Sequence, residues 1–289
     1  MKLADFSIDR TKEVIYLLDE ATDEILKFSL DDYKFLSSIK AVQNGYLTYC
    51  MQEIGGKIYL NRSSVLEKEK YELREIDERN GKQVGKFLKS DDYNHGWNFP
   101  LSLEHSNFYS KNSQSPKYIG LFSNLIMNVT ADGVSAAYIV DSRKFVDKEE
   151  VLKMQKIAEG KLEKIDFSGI YSQKRIHQIS RFIESPSKVF FQYLEGDERN
   201  YLVYDKASGK TKTSSLFMND YVSDKNMIPM DFCYSDERGV VALLKPCFMP
   251  HFIKYIINGG KMRTHLDNYS RLIKLNKDSN PVLFFHEYK

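Results

Sequence analysis

Tyr93, His95 and Trp97 stand at alternate positions in the stretch Lys89 to Asn98 (KSDDYNHGWN), the tightest grouping of recognition-type side chains in the chain. Trp97 is the only tryptophan. An indole offers a flat, amphipathic face to a protein partner or a sugar ring. The competing reading is that Trp97 packs beneath its own loop and leaves His95 solvated. Arg62, Arg143 and Arg175 add guanidinium forks of the kind that clamp an anion, with local ion pairs as the alternative use. These six residues form the candidate ligand-binding set.

Chemistry beyond binding finds little support. His177, His251, His265 and His286 are dispersed singly, without an HxH or HExxH pairing, so neither a catalytic nor a structural metal is expected. His251 and Tyr255 fall one turn apart, on a helix apolar enough for packing. No GxSxG, Gly-rich phosphate loop or nucleophile motif occurs, so no catalytic residue and no cofactor is assigned. Asp5, Asp19, Asp77 and Asp205 close strands, where carboxylates serve turns and caps; a catalytic pair among them is the alternative. Sequons at Asn61, Asn128 and Asn268 are short enough to arise by chance. Cys50, Cys233 and Cys247 show no zinc spacing and no disulfide framework; they read as buried or inert thiols, or as one bridge and a spare if the protein is exported.

Composition narrows the classes further. The 289 residues are 42% hydrophobic, enough for a real core, and 13% aromatic, a bias that suits pleated strands. Lys plus Arg number 42 against 40 Asp plus Glu, a net charge of +2. No phosphate-attracting field results, so nucleic acid is not an expected partner. No stretch reaches the ~18 apolar residues of a membrane span. MKLADFSIDR lacks the apolar region of a signal peptide, which reads as a cytoplasmic chain or one that starts late.

The elements that must carry these residues are strands. VIYLLD from Val14, EILKFSL from Glu24 and YKFLSSI from Tyr33 alternate in hydropathy across DEATD and DD turns, and LADFSID precedes them. The set recurs at a spacing on the order of 45 residues: LTYCMQEI, KIYLN, YELREID and KQVGKFL follow, with Asn80-Gly81 as a hairpin turn. Looser units come later, and DFCYSD at Asp231 echoes DFSID at Asp5. An amphipathic helix is expected at Val146 to Ala158, ended by Gly160, and an apolar helix at Pro246 to Asn258, ended by Gly259-Gly260. The reading is one all-β domain over 1–289, a β-propeller of four-stranded antiparallel blades. Its blade-like units are about 1–41, 44–89, 97–142, 175–217 and 229–289, with helical insertions at 143–174 and 245–279. Connectors between blades and loops between second and third strands emerge on one face, which is where binding would be built.

The units DFSID…VIYLLD…EILKFSL, the run DGVSAAYIVD…FVDKEEV and the ending NPVLFFHEYK resemble the six-bladed, NHL-like β-propellers of Bacteroidetes. That family's members are usually exported, often as lipoproteins. The resemblance implies a periplasmic or outer-membrane-associated protein. The family pattern has a further strand and blade, then a GxGPGEY-like turn, ahead of the DFSID strand; on this comparison the chain reads as N-terminally shortened, with an incomplete ring. Three functions follow: a non-catalytic cell-envelope propeller binding a protein or glycan, a lactonase- or lyase-like enzyme at a central channel, or an inactive fragment.

Overall fold

Alternation in the sequence becomes sheet. The computed structural model describes residues 2–40, 47–63, 70–97, 99, 107–109, 111, 115–158, 161–215, 231–235, 239–258, 269–272 and 274–287. Side chains at 47–49, 62–63, 162, 231–233, 235, 239–240, 255–258, 269, 272 and 286–287 are outside the description.

Two antiparallel meanders open the chain. The first joins β1 (Leu3–Asp9), β2 (Val14–Asp19), β3 (Glu24–Ser29) and β4 (Phe35–Lys40) in sequence order. The second does the same with β5 (Leu47–Ile54), β6 (Lys57–Ser63), β7 (Tyr71–Asp77) and β8 (Gln83–Lys89). A single turn, α1 (Ser90–Tyr93), then leads to a third sheet of β9 (Phe108–Tyr109), β10 (Lys117–Tyr118), β11 (Leu125–Thr130) and β12 (Gly133–Ile139). Next come α2 (Lys148–Ala158), a 3-10 turn at Leu162–Lys164 and α3 (Ser168–Ser172). A fourth meander has β13 (Ile176–Glu184), β14 (Lys188–Glu195), β15 (Glu198–Asp205) and β16 (Lys210–Ser214). The last sheet pairs β17 (Asp231–Ser235), β18 (Gly239–Leu244) and the C-terminal β19 (Val282–Glu287). Between β18 and β19 lie a 3-10 turn (Pro246–Phe248), α4 (Met249–Asn258) and α5 (Tyr269–Leu272). The fold class is all-β, that of a propeller with four-stranded blades; the last sheet has three strands among the described residues. By compactness the chain forms two units, Met1–Phe182 with Tyr193–Glu198, and Ile183–Gln192 with Arg199–Lys289.

Several boundaries differ from the sequence reading for local reasons. In the expected unit 97–142 the first described strand is Phe108–Tyr109, and most of the run before it lies outside the described residues. The two-residue β10 at Lys117–Tyr118 is too short to show alternation. The first helix starts at Lys148 rather than Val146, because Asp147 is its N-cap. The backbone N–H of Glu150 donates to Asp147 Oδ1 at 2.9 Å, and that of Asp147 to Glu150 Oε2 at 2.8 Å. Gly160 and Gly259-Gly260 lie outside the described residues.

In the first unit the sheets pack face to face. Tyr16, Leu18, Ile25 and Ile39 of the first sheet meet Met51, Ile58, Leu60 and Ile76 of the second, all buried. The DFSID strand explains its own polar letters: Asp5 Oδ2 accepts the Met51 backbone N–H at 2.9 Å, and Ser7 Oγ accepts that of Glu53 at 3.1 Å. Lys111 Nζ completes the tie on Asp5 at 2.5 Å. Asp5 thus binds neighbouring strands together, where a turn role was expected. Asp19, Asp77 and Asp205 do serve turns, taking the backbone N–H groups of Ala21, Arg79 and Ser208. The bidentate Arg79 guanidinium and its backbone N–H hold the Asp77 carboxyl down at about 2.

Candidate functional site

The connector Lys89 to Trp97 is held by one acid that its sequence does not advertise. Glu72, near the start of β7, accepts from Asn94 Nδ2 on Oε1 at 2.8 Å, and from the Tyr118 hydroxyl and Asn61 Nδ2 on Oε2 at 2.8 and 3.3 Å. Its three donors are neutral, and burial pushes its pKa up against their pull. Glu72 thereby joins β6, β7, β10 and the connector. A lone Glu in an alternating strand carries no signal of this; only the facing asparagines, far apart in sequence, reveal it.

With the connector fixed, the candidate residues fall as follows. Tyr93 is buried and its hydroxyl accepts the Gly120 backbone N–H at 2.8 Å, so close that a Cβ on Gly120 would sit 2.8 Å from the Tyr93 ring. Trp97 is 2% exposed, packed edge-on to Phe122 at 4.9 Å and against Phe99 at 5.2 Å. Its cluster also takes in Val146, Val151, Met154, Ala158 and Ile170. The indole therefore forms the floor on which the helical insertion rests. His95 stays half-buried in a left-handed turn with φ +63°, and burial lowers its pKa, with Asp147 pulling upward and Lys148 downward. Gly96 continues the turn, and its carbonyl accepts from Gln155 Nε2 at 2.9 Å.

Arg175 turns toward the same helix end. Its Nε donates to Glu150 Oε2 at 3.0 Å, a second nitrogen lies 2.9 Å from that oxygen, and Asp147 Oδ2 is 3.5 Å away. A further N–H donates to the Arg143 carbonyl at 3.2 Å. Arg175 is thus committed to carboxylates of its own unit. The Arg143 side chain is exposed. The Arg62 side chain lies outside the described residues, while its backbone pairs with Thr48. The structure therefore brings His95, Trp97 and Arg175 to one place, around the start of α2, while Tyr93 packs with Tyr118 in a separate cluster between the second and third sheets.

Of the dispersed histidines, His177 is fully buried beside Phe167 and Tyr171, and burial depresses its pKa. His251 is exposed; His265 and the His286 side chain lie outside the described residues. Cys50 is a buried free thiol and Cys247 an exposed one, while the Cys233 side chain is outside the described residues. Among the described residues no group of His, Cys, Asp or Glu is arranged to hold a metal, and no helix is long and apolar enough to cross a membrane.

The concave surface at this insertion is a groove of about 270 Å³ between α2 and α3. Met154 and Ile170, both in the Trp97 cluster, line its base with Ile157. Glu150, Lys153, Asp166, Ser168 and Gln173 supply polar groups. Spacing puts Glu150, Lys153, Met154 and Ile157 on one face of the helix, and the helix itself was legible as amphipathic. The opposing wall was not, because α3 is too short to show a period.

Comparisons with known proteins bear on this architecture. A protein of Bacteroides fragilis NCTC 9343 named as an exported protein shares the fold, at TM-score 0.67 and 16% identity over 99% of this chain and 77% of that one. A DUF4221 family member from Bacteroides vulgatus ATCC 8482 aligns at TM-score 0.45 and 9% identity, over 84% of this chain and 73% of that one. No curated protein matches the sequence. A domain of unknown function, DUF4934, matches residues 1–287, and the chain belongs to that family.

Proposed function

We propose that this is a non-catalytic binding propeller of the bacterial cell envelope, periplasmic or outer-membrane-associated, which takes a protein or glycan ligand on its helical insertion. The observation that carries this reading is the groove between α2 and α3, an apolar base with polar walls, built on the helical insertion between two sheets. The envelope assignment draws support from the Bacteroides fragilis neighbour's name and from the likeness of the blades to six-bladed, NHL-like exported propellers. Of the six candidate residues, none is among the described residues that line the groove itself; the half-buried His95 and the exposed Arg143 are open to solvent. Trp97 and Arg175 act by holding the insertion in place, and Tyr93 by fixing the connector on the third sheet.

Gly169 supplies the test. A Cβ there meets nothing within 4 Å, so Gly169→Phe adds a ring at a residue that lines the groove. Envelope glycans and peptides screened by thermal shift should include a ligand that raises the Tm of the native chain and not of Gly169→Phe. Stabilisation of both alike would remove the groove from the reading, and turnover of the ligand would move the protein to the enzymes. That second reading has one observation behind it: Glu72, a carboxyl of raised pKa touching the Tyr118 phenol, is the pairing a lyase-type acid needs. Its oxygens are nonetheless filled by Asn61, Asn94 and Tyr118.

A further inference from the structure

The chemistry of the groove also narrows what fits it, on the footing that it is the binding site. Consider first which polar atoms have capacity left. Glu150 Oε2 is taken by Arg175 and the Asp147 backbone N–H, while among the described residues no bond falls on Oε1. Asp166 accepts the Ser168 backbone N–H on Oδ1 and the Ser168 hydroxyl on Oδ2, both at 2.8 Å, and each oxygen keeps a second lone pair. Lys153 and Gln173 line the groove with side chains that make no bond within the described residues. The walls therefore offer acceptors at Glu150 and Asp166, donors at Lys153, and both at Gln173.

Charge then eliminates classes. The groove carries two carboxylates and one ammonium, with Arg175 neutralising Glu150 from behind. An anion would approach Lys153 only between Glu150 and Asp166. A cation would meet Lys153, and it would reach a Glu150 carboxylate already paired. A purely apolar ligand would strip water from five polar side chains without replacing their bonds, at a cost for each. What satisfies these walls is a neutral molecule whose hydroxyls donate and accept in turn. The base of Met154, Ile157 and Ile170 asks for one face of C–H groups.

We infer that the groove binds a neutral sugar, as a terminal unit or a short saccharide. The alternating hydroxyls engage Glu150 Oε1, Asp166, Lys153 and Gln173, and the C–H face of the ring lies on the three aliphatic side chains. A volume of about 270 Å³, just below the usual ~300 Å³ lower bound for drug-sized pockets, limits the occupant to a small piece of a glycan.

The chain contains its own reporter. Trp97, its only tryptophan, shares an apolar cluster with Met154 and Ile170 of the groove. Its emission should change saturably on titration with neutral methyl glycosides of glucose, galactose, mannose and N-acetylglucosamine. At least one should act with a Kd in the low millimolar range. Glucuronate and glucosamine, its charged relatives, should bind at least tenfold more weakly. Gly169→Phe, with an unchanged melt, should abolish the response, and Lys153→Met with Gln173→Leu should weaken it tenfold or more. Tighter binding of the charged sugars, or no saturable response to any neutral one, overturns the inference. In that event a peptide ligand blocked by Gly169→Phe would leave the groove standing as a binding site and the sugar assignment refuted. Failure of sugars and peptides alike would end both.

Discussion

The interface between the first two sheets and the seat of the helical insertion are held by different physics. At the first, eight buried apolar residues interdigitate, and polar contacts such as Asp5 on Met51 tie the rim. At the second, an aromatic floor around Trp97 is positioned by single polar anchors, Glu72 on Asn94, Gln155 on Gly96 and Glu150 on Arg175. Packing of the first kind spreads its energy over many atoms. Anchoring of the second kind concentrates it in groups that one substitution can remove. The sheets can therefore tolerate drift of surface sequence, while the insertion depends on a few residues.

The largest expected effect lies in the sheet pair. Leu60→Ala removes a fully buried side chain from the centre of the interface and should cost about 2–5 kcal/mol, read by denaturant unfolding. A cost under ~1 kcal/mol would mean that the interface collapses around the cavity and is not close-packed. Gly81→Ala comes next. Gly81 sits at φ +67°, and a Cβ would lie 2.7 Å from both the Lys40 carbonyl oxygen and the Ile39 side chain. Backbone cannot step aside cheaply, so a loss on the order of 1–3 kcal/mol is expected. An unchanged Tm would show that the turn between β7 and β8 does not press on the first sheet as described.

The insertion should respond less in global stability and more in local order. Arg175→Met removes the guanidinium from Glu150 and Asp147 and should cost about 1–2 kcal/mol. Hydrogen exchange should speed up in α2 and not in β1–β8. Protection lost equally in the first two sheets would dissolve the distinction between the two regions.

That distinction also decides what could be read from sequence. Strands β1, β2, β5 and β7 were legible to the residue, because alternation with period two is what a half-buried meander imposes. The amphipathic helix over Val146 to Ala158 was legible for the same kind of reason, two residues too long at its start. Trp97 illustrates the opposite case: its type suits an exposed anchor and a buried floor equally, and only the position of Val151 and Ile170 decides. Arg175 was a credible anion clamp until Glu150, 25 residues away, filled its fork. Glu72 carried no signal at all, since its donors come from β6, the connector and β10. Pairings across elements are invisible to a local pattern.

Glu72 offers the finest test of the anchored region, through pH. Its carboxyl is enclosed by Asn61, Asn94, Tyr118 and, nearby, Tyr93, with no cation among its partners. Burial raises its folded pKa above the ordinary 4.5. A raised carboxyl binds its proton more tightly when folded, so its stabilising share is complete below pH 4.5 and is lost as pH climbs through the folded pKa. His95 and His177 run the other way. Their depressed pKa values lend stability above 6.5 that is lost as pH falls. A single melt profile would mix the two signs. The difference between the native chain and Glu72→Gln cancels the histidines, which both proteins share. Glutamine keeps the shape, stays neutral, and can offer an N–H to Asn94 Oδ1, which is buried without a partner. Relative to Glu72→Gln, the native chain should therefore lose stability as pH rises from 4.5 through the folded pKa of Glu72. Glu72→Ala, which leaves Asn94 Nδ2 without its acceptor and takes one bond each from Asn61 and Tyr118, which keep each other, should cost about 1–3 kcal/mol. A flat difference, or one in which the glutamine variant falls behind at high pH, would mean that water or a cation reaches the carboxylate and that the connector is not latched by a buried acid.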